Sequence, residues 1–338
     1  MLEGAPVIDV HHHFLPRAVF DELKAEARGA RRLVNDRLSI TLSEDLYNVE
    51  SHLRAMDAGG VDSAILTYSG VSILGMRVCR LLNEGLAAVQ QQARGRLYGA
   101  VHVPLQEPEA APRELERGVR ELGLVAAALP TSAPGVTLDQ PALRPLWRTL
   151  AELDLPIILH PPLLPQGATT DYNLERACWR PFDTTLAAVR IMYGVFPEFP
   201  TLKFVLPHLG GTAVFLKGRI AMLCEPPHAD IPPEKRSLAK TVRERQALGL
   251  DPAIETAWSK FYVDTAGTGG WAPAVQFTAE VVTPARMLFG SDYPLEAQSG
   301  AAVRELVEMV GGLRLSVEER RAIAGENARQ LFRLEGAA

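Results

Sequence analysis

Short apolar, β-branched runs alternate with longer amphipathic stretches along almost the whole chain. The runs predict strands at residues 7–11, 63–68, 98–103, 124–129, 157–160, 203–206, 261–264 and 287–289. Apolar positions at helical spacing fill the intervals at 75–93, 109–122, 142–153, 184–196 and 212–223. These stretches have the length of a right-handed crossover, so the sheet is predicted to be parallel. Eight β-then-α units favour closure into an α/β, (β/α)8 TIM barrel over an open doubly wound sheet. The doubly wound alternative would also want a Gly-x-Gly-x-x-Gly turn after an early strand, and none is present.

Three segments break the rhythm. Residues 14–43 are too long for an ordinary βα loop and are expected to form an excursion or small hairpin over the barrel mouth. Residues 163–180 make a second long loop directly after a candidate site strand. Residues 225–249, with Pro226-Pro227 and Pro232-Pro233 ahead of a charged stretch, read as a surface arm. Near the end, Ser316-x-x-Glu319 resembles a capping box that opens a last helix. At 338 residues, one barrel of roughly 250 residues plus these insertions accounts for the chain, and 1–338 is expected to be a single decorated domain.

Composition narrows the chemistry. Hydrophobic residues make up 47% of the chain, yet no apolar stretch approaches the about 20 residues of a membrane span. A net charge of −5 leaves no electrostatic footprint for nucleic acid or an anionic membrane. Cys79, Cys178 and Cys224 are far apart and odd in number, and no basic segment with an apolar run opens the chain. A cytoplasmic protein acting on a small molecule is the expectation.

Polar residues gather where four predicted strands end. Strand one ends in His11-His12-His13, strand five in His160-Pro161-Pro162, strand six in Pro207-His208-Leu209-Gly210-Gly211, and strand eight in Gly290-Ser291-Asp292-Tyr293-Pro294. Alternate residues of a strand share a face, so His11 and His13 point together as half of a metal site, with His12 opposite. Strand histidines can equally be satisfied by backbone partners, and an Asp before a Pro is usually a turn residue. In a parallel barrel, however, the C-terminal strand ends all meet on the catalytic face.

Together the motifs Ile-Asp-x-His-x-His, Leu-His-Pro, His-x-Gly-Gly and Gly-Ser-Asp-Tyr-Pro resemble the amidohydrolase-related group that contains aminocarboxymuconate semialdehyde decarboxylase and the resorcylate- and methylsalicylate-type decarboxylases. The resemblance covers nearly the whole chain, including residues 194–203 and 326–332, and Pro181-Phe-Asp-Thr-Thr185 is similar to the methylsalicylate branch. It implies that His11, His13, His160 and Asp292 ligate one divalent metal, zinc or manganese, with His208 beside it as acid/base or as the group orienting metal-bound water. A two-metal centre bridged by a carboxylated lysine is excluded, because no lysine lies between Lys24 and Lys203.

The implied reaction is non-oxidative decarboxylation of a small aromatic or conjugated hydroxycarboxylate, with the proton coming from Asp292 or His208. A metal-dependent hydrolase or hydratase on the same residues is the alternative. Candidate substrate-binding residues are Arg219, Trp179, Arg180 and Trp271. In the aminocarboxymuconate enzyme an arginine placed like Arg219 reaches across a dimer, although Lys217-Gly218-Arg219 equally fits an exposed helix face. The resemblance further implies a homodimer.

Overall fold

The computed structural model describes residues 2–34, 39–162, 171–224 and 256–334. Its strands are β1 (Ile8–His13), β2 (Ser63–Thr67), β3 (Leu97–His102), β4 (Ala126–Pro130), β5 (Ile157–His160), β6 (Phe204–Leu206), β7 (Phe261–Asp264) and β8 (Met287–Leu288). They form one eight-stranded sheet in sequence order, and every pairing is parallel. Each of the eight expected strands is present. The sheet closes on itself just beyond β8: Val10 N donates to Phe289 O at 2.9 Å, Asp292 N to His11 O at 2.9 Å and His13 N to Tyr293 O at 2.8 Å. The fold is the (β/α)8 barrel.

Helices cover the outside. They are α1 (Arg17–Glu26), α2 (Val49–Gly59), α3 (Met76–Gln92), α4 (Ala111–Arg120), α5 (Arg144–Glu152), α6 (Arg180–Arg190), α7 (Ala213–Leu223), α8 (Ala272–Val282), α9 (Gly300–Gly311), α10 (Val317–Arg321) and α11 (Asn327–Phe332). Their stripes are apolar at 3.6-residue spacing, as Val78, Leu82, Leu86 and Val89 show on α3, and they pack against the outer face of the sheet. The Ser316 capping box is formed in both halves, which is why α10 begins there.

A smaller apolar cluster fills the barrel itself, drawn from Ile8, Val10, Ile65, Ala128, Ile158 and Leu288 among others, with Leu331 and Phe332 of α11 packed against it. Polar groups therefore have room only above that layer, at the C-terminal strand ends.

The 14–43 excursion contains a hairpin pairing Arg32–Val34 with Ser39–Thr41 and, beyond the expected hairpin, the helix α1. After β5, a π-helical turn at Glu175–Trp179 runs straight into α6, so Trp179 and Arg180 sit at a helix start instead of in a loop. The Pro-rich arm at 225–249 lies outside the described residues.

Candidate active site

The bulge in β1 decides where the first two histidines point. Pairing with β2 runs Ile8 to Ser63 and Asp9 to Ala64, then resumes at His12 to Leu66, one residue out of step. Ile8 and Val10 face the barrel interior, and unbroken alternation would hand the next interior position to His12. The extra residue switches parity, so His11 and His13 take that face and His12 turns toward His52.

His160 ends β5 two residues after interior Ile158 and so arrives on the same side. His208 and Asp292 follow β6 and β8 in tight turns, with φ of +54° and +55°. Left-handed backbone costs a non-glycine residue roughly 1–2 kcal/mol, which surrounding contacts must hold in place. Glycines make the room: a Cβ on Gly290 would lie 2.8 Å from His11 Cβ, and one on Gly267 would lie 2.6 Å from His208 Cδ2.

Five side chains meet at one point. Ligand-capable atoms of His11, His13 and His160 lie within 4.8 Å of one another, as do those of His11, His208 and Asp292. From Asp292, Oδ1 is 2.9 Å from His13 Nε2 and 4.0 Å from His11 Nε2, and Oδ2 is 3.7 Å from His208 Nε2. Yet His11 Nε2, His13 Nε2, His208 Nε2 and Asp292 Oδ1 are buried without a hydrogen-bond partner, because even the close His13–Asp292 approach lacks the direction of a hydrogen bond. An unmet buried polar atom costs about 1–3 kcal/mol, and a cation at the meeting point would satisfy those of His11, His13 and Asp292, with His160 completing the set. Three imidazoles and a carboxylate suit zinc and also accept manganese, so the residues fit one divalent ion.

The far ring nitrogens support that fit. His11 Nδ1 bonds Asp264 Oδ2 at 2.8 Å and His13 Nδ1 bonds the Thr67 carbonyl at 3.3 Å, which leaves each Nε2 bare toward the centre. Asp264 Oδ1 also accepts from the His208 backbone N–H at 2.9 Å, so one buried carboxylate positions both His11 and His208. Sequence reasoning passed over Asp264, although it ends β7 just as His160 ends β5.

Electrostatics at the centre are strongly coupled. Burial pushes the His11 imidazole down, but Asp264, Asp292 and Asp9 outweigh it and raise it to about 9. Burial dominates at His13 and His160 and holds both below the ordinary 6.5. At Asp292 burial acts upward, yet His13, His208 and His11 hold its carboxyl well below the usual range. His102, which accepts from Tyr68 N and bonds the Ala100 carbonyl, is pushed by burial to about 3. His52 is likewise held low by burial.

A pocket leads out from His13 and His160, past Tyr68 and Leu295, to Arg176 and Arg180. Arg180 thus reaches the site, ion-paired to Glu175 at 3.1 Å, and Arg176 beside it went unnoticed in the sequence because nothing marks one loop arginine among many. The structure does not bring the other expected substrate residues there. Trp179 is half-buried but does not line the pocket, and Trp271 is 66% exposed ahead of α8. Arg219 is exposed on α7, whose buried residues include Val214 and Ile220, and borders an outer groove with Leu186 and Leu216.

A family model described as amidohydrolase matches residues 8–334, the span that carries all eight strands. The chain belongs to the amidohydrolase family. Gamma-resorcylate decarboxylase of Rhizobium sp. (strain MTP-10005) is 28% identical to this amidohydrolase over 311 residues, covering 85% of this chain and 88% of its own. The 2-keto-4-carboxy-3-hexenedioate hydratase of Sphingobium sp. (strain NBRC 103272 / SYK-6) is 24% identical over 356 residues, 96% of each chain. Among solved structures, a dihydroxybenzoic acid decarboxylase from Polaromonas sp. JS666, with bound manganese and the inhibitor 2-nitroresorcinol, matches with a TM-score of 0.75 at 25% identity over 98% of both chains.

Two outcomes are expected of this amidohydrolase. Replacing Asp264 by Asn frees the His11 ring and should weaken Mn2+ binding by about 10–100-fold in a chelator competition; unchanged affinity would remove Asp264 from the centre. His52, His102 and His160, held far below 6.5 by burial, stay neutral when folded but charge in the unfolded chain below pH 6.5, so the unfolded state there binds more protons, and the lowered His13 acts in the same direction. His11, raised to about 9, stabilises fully below 6.5 and loses that contribution as pH rises through 9, so it adds no slope in acid. Metal-free protein should therefore lose about 1.4 kcal/mol per pH unit below 6.5 for each histidine that stays neutral. The urea midpoint should fall between pH 7 and pH 5.5, and a constant or rising midpoint contradicts it.

Proposed function

We propose that this protein is a divalent-metal-dependent, non-oxidative carboxy-lyase acting on a small aromatic or conjugated hydroxycarboxylate. One observation carries the reading: unpaired buried atoms of His11, His13, His208 and Asp292 converge, with His160 alongside, at the base of a pocket walled by arginine. The names of the relatives agree, since gamma-resorcylate and dihydroxybenzoic acid are small hydroxylated aromatic carboxylates. Manganese in the Polaromonas structure favours that metal here, with zinc equally compatible with the donor set.

His11, His13, His160 and Asp292 would hold the ion. Once bound, it would supply a Lewis acid for the carboxylate end of the substrate, easing the build-up of negative charge there. His208 Nε2, 3.7 Å from Asp292 Oδ2, is placed to deliver a proton to the ring carbon that bears the carboxylate, and Asp292, held as a carboxylate, could do so only after first taking one up. The C–C bond then breaks, its electron pair returns to the ring, and CO2 leaves. Asp264 and the glycine-lined turns keep His208 in place while this happens.

The hydratase among the relatives favours one alternative, addition of water by the same residues. A homodimer is also proposed: Phe182, Leu186 and Phe215 are exposed on α6 and α7, and burying them against a second copy would give Arg219 the partner site it lacks within one chain.

A CO2-release screen of metal-loaded protein over salicylates, resorcylates, orsellinates, carboxyvanillate and aminocarboxymuconate semialdehyde tests the reading. At least one should release CO2, and His208→Asn should slow it by about 10²–10⁴-fold while keeping its metal. Hydration or ring opening with no CO2 from any compound would transfer the site to the alternative.

A further inference from the structure

We propose that Arg176 is a specificity-determining residue that receives a second anionic group of the substrate, which makes the substrate an aromatic or conjugated dicarboxylate. This rests on the carboxy-lyase reading and narrows its substrate class.

The pocket holds two cations with unequal partners. Arg180 Nη2 lies 3.1 Å from Glu175 Oε1, and the other oxygen of that buried carboxylate takes Arg32 at 2.8 Å. Glu175 is thereby shared between two guanidinium groups. Arg176 makes no direct ion pair with a carboxylate among the described residues, and Glu296 feels its charge only from a distance; its Nη2 donates to the Thr41 hydroxyl of the hairpin at a long 3.3 Å. Among the described residues no aspartate or glutamate lines the pocket. Its apolar walls are Pro161 and Pro162 following β5, Ile40 from the hairpin and Leu295 from beyond β8, and its neutral polar ones are Thr41, Tyr68 and Ser69.

A planar ring seated between those walls would have its leaving carboxylate at the His13 and His160 end. Filling the pocket also strips water from Arg176, and a guanidinium desolvated with one weak hydroxyl contact and no carboxylate closer than the distant Glu296 is costly unless the ligand pairs with it. The carboxylate at the metal end is already neutralised there, so the pairing anion must be a different one. Arginine is suited to that task, because its planar fork meets a carboxylate with two parallel hydrogen bonds. The guanidinium is also well placed to discriminate. It stands on the π-helical turn that buried Glu175 anchors to both Arg32 and Arg180, so its approach to the pocket is held by ion pairs and not by a loose loop.

Calorimetric binding of benzoate, isophthalate and terephthalate to the Mn2+-loaded protein tests this without requiring turnover. The wild-type protein should bind at least one of the dicarboxylates about tenfold or more tighter than benzoate, Arg176→Gln should bring that ratio to within about threefold of unity, and Arg176→Lys should fall between. Because each ratio is taken within one variant, partial loss of active protein does not distort it. A wild-type ratio near unity, a ratio that survives Arg176→Gln, or equal weakening of benzoate and dicarboxylate would each overturn the assignment. CO2 release is scored separately: tight, Arg176-dependent dicarboxylate binding with no CO2 from any carboxylate would sink the carboxy-lyase reading and leave the anion subsite standing.

Discussion

Asp9 sits at the seam where the first and last strands of the barrel meet, with no solvent exposure, and the geometry of the site depends on how its two oxygens are used. Oδ1 accepts the backbone N–H groups of His11 and Ser291 at 3.1 and 3.0 Å, and Oδ2 accepts from His12 Nδ1 at 2.8 Å and from the Ser291 hydroxyl. One carboxylate thus ties the strand that carries two imidazoles to the turn that carries Asp292, across 282 residues of sequence. It also stabilises the bulge, because the His11 N–H and the His12 ring it engages lie on the out-of-step residues. Asp264 repeats the device one strand away, joining the His11 ring to the backbone of His208. Two buried carboxylates, neither facing the substrate pocket, fix the relative positions of three of the five central side chains.

Such a site is assembled against local preference. His208, Leu209 and Asp292 hold left-handed backbone that non-glycine residues avoid, and four buried polar atoms at the centre face one another without hydrogen bonds. The surrounding barrel has the rigidity to impose this, since its interior is packed below the site by small and branched residues and its seam is closed by backbone hydrogen bonds. A centre whose donors are already gathered needs little reorganisation when a cation arrives, which is what electrostatic catalysis requires.

Much of this was legible in the chain because parallel barrels place chemistry by a simple rule: read the residues at the C-terminal end of each strand. That rule located His11, His13, His160, His208 and Asp292, and the strand count came from the apolar runs alone. It applied equally to Asp264, whose carboxylate was overlooked only because a lone Asp carries no distinctive motif. The bulge was invisible, since it depends on the pairing of Asp9 and His12 with β2 and not on local composition. Arg176 and Glu175 could not be separated from solvated charges without knowing that the hairpin folds down to put Thr41 and Arg32 beside them. Trp271 and Arg219 show the converse. Residue type suggested a role, but helix phase and loop direction carry both to the outer surface of the single chain.

Everything else rests on His11, His13, His160 and Asp292 holding one divalent ion, with His208 beside it. Electron paramagnetic resonance of chelator-stripped protein, titrated with Mn2+, addresses it most directly. The account predicts that the sharp six-line spectrum of aqueous Mn2+ is absent up to one equivalent per chain, replaced by a broad signal with 14N coupling from histidine. A six-line spectrum that grows from the first addition, or a bound signal without nitrogen coupling, would contradict it.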